Sequence, residues 1–393
     1  MKPTNPLVAG RPALLCAALA CTPLAHAAST WTGAVDSNYN TAGNWNPNGT
    51  PAVGTDVEIL SGTANVPSGN WDRRGAGYTT IGGTANVTLN SGGQGRFLNT
   101  GAFNMNGGTF THSGEYFIAG AGAVGTINQS GGSISSTLSR GWQLSDNNIN
   151  QSGSAYYLSG GLLSVTSTAT WTDLPLRGVW FGKGGETGGN NSAAIGSATG
   201  DLFKVTGGSA NFTKTGANTS EVRVSRNSGI EITTGSVSFN NYTEFRVGQG
   251  ASGGLNSRVI LTGGTLDITG GTAFYLGESD NGLLSISGGS MTLDGLLSLG
   301  RSTFTGVGTV NLSGGTLSVD SLVNGNGLGV FNFTGGRLYV DGDATALLNE
   351  SWFNKVQDTT ATFDGTRTLI VPEPSFGILL LGTAGILGIR RRR

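Results

Sequence analysis

The sequence predicts an all-β chain, a single-stranded parallel β-helix (solenoid) of about nine coils, set between an N-terminal signal peptide and one short C-terminal transmembrane helix. Three observations carry this prediction. Glycine supplies 69 of the 393 residues, more than twice its ordinary share. A Gly-Gly or Gly-Ser step recurs at Gly107, Gly131, Gly160, Gly207, Gly235, Gly263, Gly288, Gly314 and Gly335, about every 26 residues apart from the long interval between Gly160 and Gly207. The residues on both sides of each step alternate apolar and polar, as in Leu284-Ser285-Ile286-Ser287-Gly288-Gly289-Ser290-Met291-Thr292-Leu293, the pattern of half-buried strands. Only 10 prolines and no strict Gly-X-Y period exclude collagen. Propeller blades need roughly 40 residues each, too many for this period.

Residues 1–27 read as the signal peptide. Lys2 and Arg11 supply positive charge, 13–25 a short apolar stretch, and Ala25-His26-Ala27 a cleavage site with small residues at Ala25 and Ala27. Both cysteines, Cys16 and Cys21, lie in this segment. The exported chain therefore has no disulfide, thiolate nucleophile or cysteine zinc site.

Residues 28–100 form the N-terminal cap and first coils, with 31–60 as the leading cap over the exposed strand edges. Residues 101–340 carry the repeats. Ser or Thr precedes every glycine step except Gly107, so stacked coils would form polar ladders. A second signature lies about halfway round each coil: two apolar residues one apart, then Gly or Ser. Phe117-Ile118-Ala119-Gly120, Trp142-Gln143-Leu144-Ser145, Val179-Trp180-Phe181-Gly182 and Val222-Arg223-Val224-Ser225 are examples. Each coil thus has two or three short strands joined by tight turns, where glycine tolerates φ > 0. Residues 341–371 form the trailing cap, whose segment 344–353 is the best helix candidate in the chain.

Residues 372–393 contain Pro372-Glu373-Pro374, an almost wholly apolar run over 375–389, and then Arg390, Arg391, Arg392 and Arg393. A 15-residue helix spans roughly 22 Å, short of the 30 Å hydrocarbon core unless the ends snorkel. The arginines belong on the cytoplasmic side. In order and spacing these three parts resemble the PEP-CTERM sorting tail of Gram-negative bacteria. The resemblance implies that a membrane-embedded exosortase recognises the tail and cleaves near Pro372, Glu373 and Pro374. It covers only about the last 22 residues and concerns sorting, not activity. The Thr30-Trp31-Thr32-Gly33 and Gly43-Asn44-Trp45 motifs, followed by Gly-Gly strand repeats, resemble autotransporter-like passenger regions. The implied partners are signal peptidase and the export machinery, then exosortase, with the membrane holding the C-terminal helix before processing. The implied location is first the inner membrane and then the cell surface or extracellular matrix.

Chemistry is sparse in the sequence. Polysaccharide cleavage on a β-helix calls for clustered carboxylates with a placed Arg, Lys or His. Three acidic groups converging with a basic one beside the 160–207 insertion would mark such an enzyme. Asp267, Asp294 and Asp320 follow their glycine steps at similar distances and read as solvated outward positions. His112, the one histidine of the exported chain, reads as a solvated surface residue. Asp341-Gly342-Asp343 lacks the remaining positions of a calcium loop and reads as a turn. Gly182-Lys183-Gly184-Gly185 lacks P-loop spacing. The insertion is where a ligand contact is expected, with Tyr157 and Trp171 able to stack on a sugar; Trp180 reads as core. No catalytic residue, cofactor or metal is assigned. Net charge is −1, and removing the basic ends leaves the body acidic, so nucleic acid is not expected.

The function expected is a non-enzymatic, exosortase-sorted surface or matrix protein with a structural or adhesive role in exopolysaccharide or biofilm. The alternatives are a polysaccharide-acting lyase or hydrolase, and a glycan- or ice-binding protein using the Ser/Thr ladders.

Overall fold

The computed structural model describes residues 28–90, 95–145, 153–168, 178–182, 200–225, 227–249 and 256–372. Among them the chain is all-β, with only two short 3-10 segments, Ala42–Asn44 and Thr345–Asn349. It winds into a parallel β-solenoid of about eleven turns. The predicted count of nine is too low because coils begin before Gly107. The coil of Val57–Ile59, Thr63–Val66 and Trp71–Arg73 turns at Gly62, and the next turns at Gly82-Gly83.

Each full turn lays one strand on each of three faces. Face A starts at Val57–Ile59 and runs through Gly101–Met105, Ala155–Leu158 and Asn256–Leu261 to Asn281–Ile286 and beyond. Face B starts at Thr63–Val66 and includes Leu162–Ser167 and Thr265–Thr269. Face C starts at Trp71–Arg73 and includes Gly178–Phe181, Glu221–Val224, Glu244–Val247 and Ala273–Leu276. Some strands bend round a corner without breaking. Gly308–Val323 serves all three faces, pairing with Asn281–Ile286 and then with both halves of Ser290–Leu299.

Alternation decides what lies inside. On face A the register runs Phe103, Ile127, Tyr156, Phe203, Ile230, Val259, Leu284, Val310, Phe331, all fully buried. Identical positions on successive coils place like side chains in contact, since strand neighbours lie about 4.8 Å apart. The Phe245 and Phe274 rings stack at 4.7 Å and 7°, and Phe212 and Phe239 at 4.9 Å and 10°.

The Gly-Gly step at 288–289 does two separate jobs. Gly289 has φ +74°, the left-handed conformation that turns the chain from face A to face B. Gly288 has no such φ, but a Cβ there would lie 2.4 Å from the Thr262 carbonyl oxygen one coil earlier. One glycine makes the corner and the other lets the next corner stack upon it.

At the N-terminal end Ser29–Trp31 pairs parallel with Val57–Ile59 and antiparallel with Trp45–Asn46. Trp31, Tyr39, Trp45 and Trp71 pack edge to face beneath this pairing. Arg73, 1% exposed, donates to the Thr79 hydroxyl (3.1 Å), the Tyr39 hydroxyl (3.5 Å) and the Thr55 carbonyl, tying this segment to the first coils. At the other end a hairpin, Thr359–Phe363 with Arg367–Pro372, lays its second strand antiparallel to 338–341. The helix candidate 344–353 forms only the Thr345–Asn349 3-10 turn before strand Phe353–Lys355, which continues face A.

Among the described residues no helix is long and apolar enough to cross a membrane. Ala25, Ala27, Trp171, Glu373, Pro374, Arg390, Arg391, Arg392 and Arg393 lie outside the described residues; Pro372 ends the final strand.

Candidate functional site

The outward positions of the three faces differ in chemistry. Face A carries amide ladders, with Asn128 donating to Asn104 at 2.9 Å, Asn332 to Asn311 at 2.8 Å and Asn354 to Asn332 at 3.0 Å, and one ionic trio in which Glu231 lies 3.0 Å from Arg258 and 3.7 Å from Lys204. Face B carries hydroxyls and short amides, with Ser236 donating to Ser209 at 2.9 Å and Ser238 to Asn211 at 3.0 Å. Face C carries ions and aromatic rings.

The densest part of face C is built from four consecutive coils. Glu221 and Glu244 are register partners, as are Arg223 and Arg246. Residues two apart on a strand share a face, so each Glu-x-Arg pair points outward together. Arg223 reaches Glu221 at 2.7 Å. Arg246 bonds Glu244 in its own coil, Glu221 in the preceding coil at 3.2 Å, and lies 3.7 Å from Glu278 in the following one. Arg301 closes the array, 3.2 Å from Glu278 and 3.4 Å from Glu244, with its guanidinium 4.7 Å from the Tyr275 ring.

These groups are partly withdrawn from water. Side-chain exposure is 12% for Arg246, 17% for Glu221, 19% for Glu244 and 3% for Glu278. Burial works against the Arg246 charge, but Glu221, Glu278 and Glu244 outweigh it and hold its pKa above the ordinary value. Burial pushes the Glu278 carboxyl up, against the pull of Arg246 and Arg301. Its Oε2 atom has no hydrogen-bond partner. A second cluster lies nearer the N-terminus, where Glu115 bonds Arg96 at 2.8 Å and Arg140 at 2.9 Å. The two guanidiniums lie 5.2 and 5.7 Å from the Tyr116 ring.

Three carboxylates therefore converge with arginines in the coils after the 160–207 interval. A carboxyl whose pKa burial raises, set beside two others, is the raw material of acid–base chemistry. Two features favour a clamp over a catalytic centre. Every carboxylate already contacts a guanidinium, and Glu278 is the least accessible of the three. The array pins four coils together through shared partners.

The sequence candidates are scattered. Tyr157 is outward on face A, 41% exposed, between Asn128 and Lys204 in register. Asp267 stands in register with Ser238 and Thr292, away from the other two aspartates. Asp294 and Asp320 are neighbours on the outside of face B, with Asp341 close by. Burial first, and then the Asp294 carboxylate, raise the Asp320 pKa. Trp180 does not face the core: Val179 and Phe181 take the inward positions, and Trp180 is buried on the outer side with Arg223 5.2 Å from its ring. His112 is 1% exposed, not solvated. It follows Phe110 by two residues and so shares its inward direction. Burial lowers its pKa to about 4.

Asp201 is a buried polar group that sequence reasoning missed. It accepts N–H groups of Gly153 (3.2 Å), Ser154 (3.0 Å) and Gly182 (3.1 Å), closing the long coil at one corner. Burial outweighs these bonds and raises its pKa to about 6. Among the described residues no group of three or more His, Cys, Asp or Glu is arranged to hold a metal ion. No family model, curated protein or solved structure matches the chain.

Proposed function

We propose that the protein is an exported, exosortase-sorted surface or matrix solenoid with a structural or adhesive role among exopolysaccharide. The observation that carries this reading is how the polar residues are used. The ions of face C are spent on one another, leaving amide and hydroxyl ladders and the exposed Tyr157 ring to meet a hydrated polymer. The tail supports the sorting step, and its motif begins at Pro372, the last residue of the final described strand. Replacing Pro372, Glu373 and Pro374 together should leave the protein in the membrane fraction. Release into the medium regardless would defeat the sorting step. Residues 28–371, purified, should bind polysaccharide on a glycan array and release no sugar.

A second reading, a polysaccharide lyase or hydrolase, is favoured by the convergence of Glu221, Glu244 and Glu278 on Arg246. Sugar release that disappears in Glu278→Gln would establish it over the first.

A further inference from the structure

We propose that the solenoid interior binds a water molecule between His112 and Ser136, a hydration site inside an apolar core. One inward row of face B runs Val66, Leu89, His112, Ser136, Val165, Phe212 in register. Only the two central members are polar, and they are direct partners on adjacent coils. Each is 1% exposed, and neither imidazole nitrogen nor the Ser136 hydroxyl has a hydrogen-bond partner.

A third orphan lies in the same coil as Ser136. Trp142, inward on face C in the coil of Ser136, has an unpartnered indole nitrogen and is fully buried. Phe117 bridges the two faces, with its ring 6.2 Å from His112 and stacked on Trp142 at 6.1 Å. The remaining inward polar residue of that coil is already satisfied: Gln129 accepts from Tyr156 at 2.5 Å and donates to the Leu162 carbonyl at 2.9 Å.

A buried polar group left unpaired keeps its full desolvation penalty, and a buried water typically makes about three hydrogen bonds to such groups. The donors and acceptors match. A neutral imidazole offers one lone pair and one N–H, and a hydroxyl offers both. Ser136 has the smallest side chain of its row.

Substituting Ser136→Val tests the site through the sign of its effect. With a water present, valine expels it and strands the imidazole, so the melting temperature falls by several degrees. In a dry core valine fills a void and removes an unpaired hydroxyl, so the melting temperature rises, which would overturn the proposal. A high-resolution crystal structure of the unsubstituted protein decides the matter if the variant does not fold. Solvent density within hydrogen-bond distance of His112 and Ser136 is the expected result, and a dry interior refutes it.

Discussion

Faces A and C are made by the same coils and the same alternation, yet their polar residues do different work. On face A, Asn104 and Asn128 bond within a half-exposed ladder, where water stands ready to replace either partner. On face C, Arg246 is 12% exposed and shared among carboxylates from three coils. A polar residue becomes consequential here through what it leaves behind when removed.

That contrast orders the expected effects of substitution. Arg246→Ala should be the most severe, costing about 3–5 kcal/mol, because it strips Glu278 of a partner without restoring water; chemical denaturation measures it. A loss under 1 kcal/mol would put face C on the same footing as face A.

Acid titration extends the contrast to the interior. The native His112 pKa is about 4 against 6.5 unfolded, so the unfolded chain takes the proton first. Stability is lost as pH falls from 6.5 to 4, by about 3 kcal/mol. Asp201 acts oppositely. Its native pKa is about 6 against 3.8, so stability is gained by about 3 kcal/mol as pH falls through that window. The two nearly cancel in the native sequence. Asp201→Asn should expose acid lability between pH 6.5 and 4, and His112→Phe should make the protein more stable in acid. Melting curves across that range check both, and identical profiles for the two variants would be the contrary result.

Gly289→Ala should cost about 1–3 kcal/mol for the left-handed conformation alone, with the contact at the Gly264 carbonyl adding to it. Asn128→Ala should cost the least, about 0.5–1 kcal/mol, since its ladder lies open to solvent. A larger loss would show that the face A ladder is cooperative.

Much of the fold is legible in the sequence because it is periodic. The Gly-Gly corners and flanking alternation give the parallel coils and the inward residues. Alternation alone would have placed His112 inside, since Phe110 fixes the phase two residues earlier. The same phase puts Trp180 outside, although its apolar triplet invites the opposite reading. The face C array is harder to see, because Glu221, Arg246, Glu278 and Arg301 come from separate coils. The repeated Glu-x-Arg at 221–223 and 244–246 is its one linear trace. Asp201 leaves no such trace, for its partners, the Ser145 hydroxyl and backbone N–H groups of Gly153, Ser154 and Gly182, lie far from it in the chain.

The antiparallel pairings at the two ends bound the parallel stack. A stack of parallel strands is an open-ended template, able in principle to accept the next coil or the coil of a neighbour. Here Trp45–Asn46 reverses direction against face A at one end, and Arg367–Pro372 does so against face B at the other. The parallel stacking is interrupted there, on face A at one end and on face B at the other. Eleven coils at about 4.8 Å each make a body about 50 Å long between these two reversals.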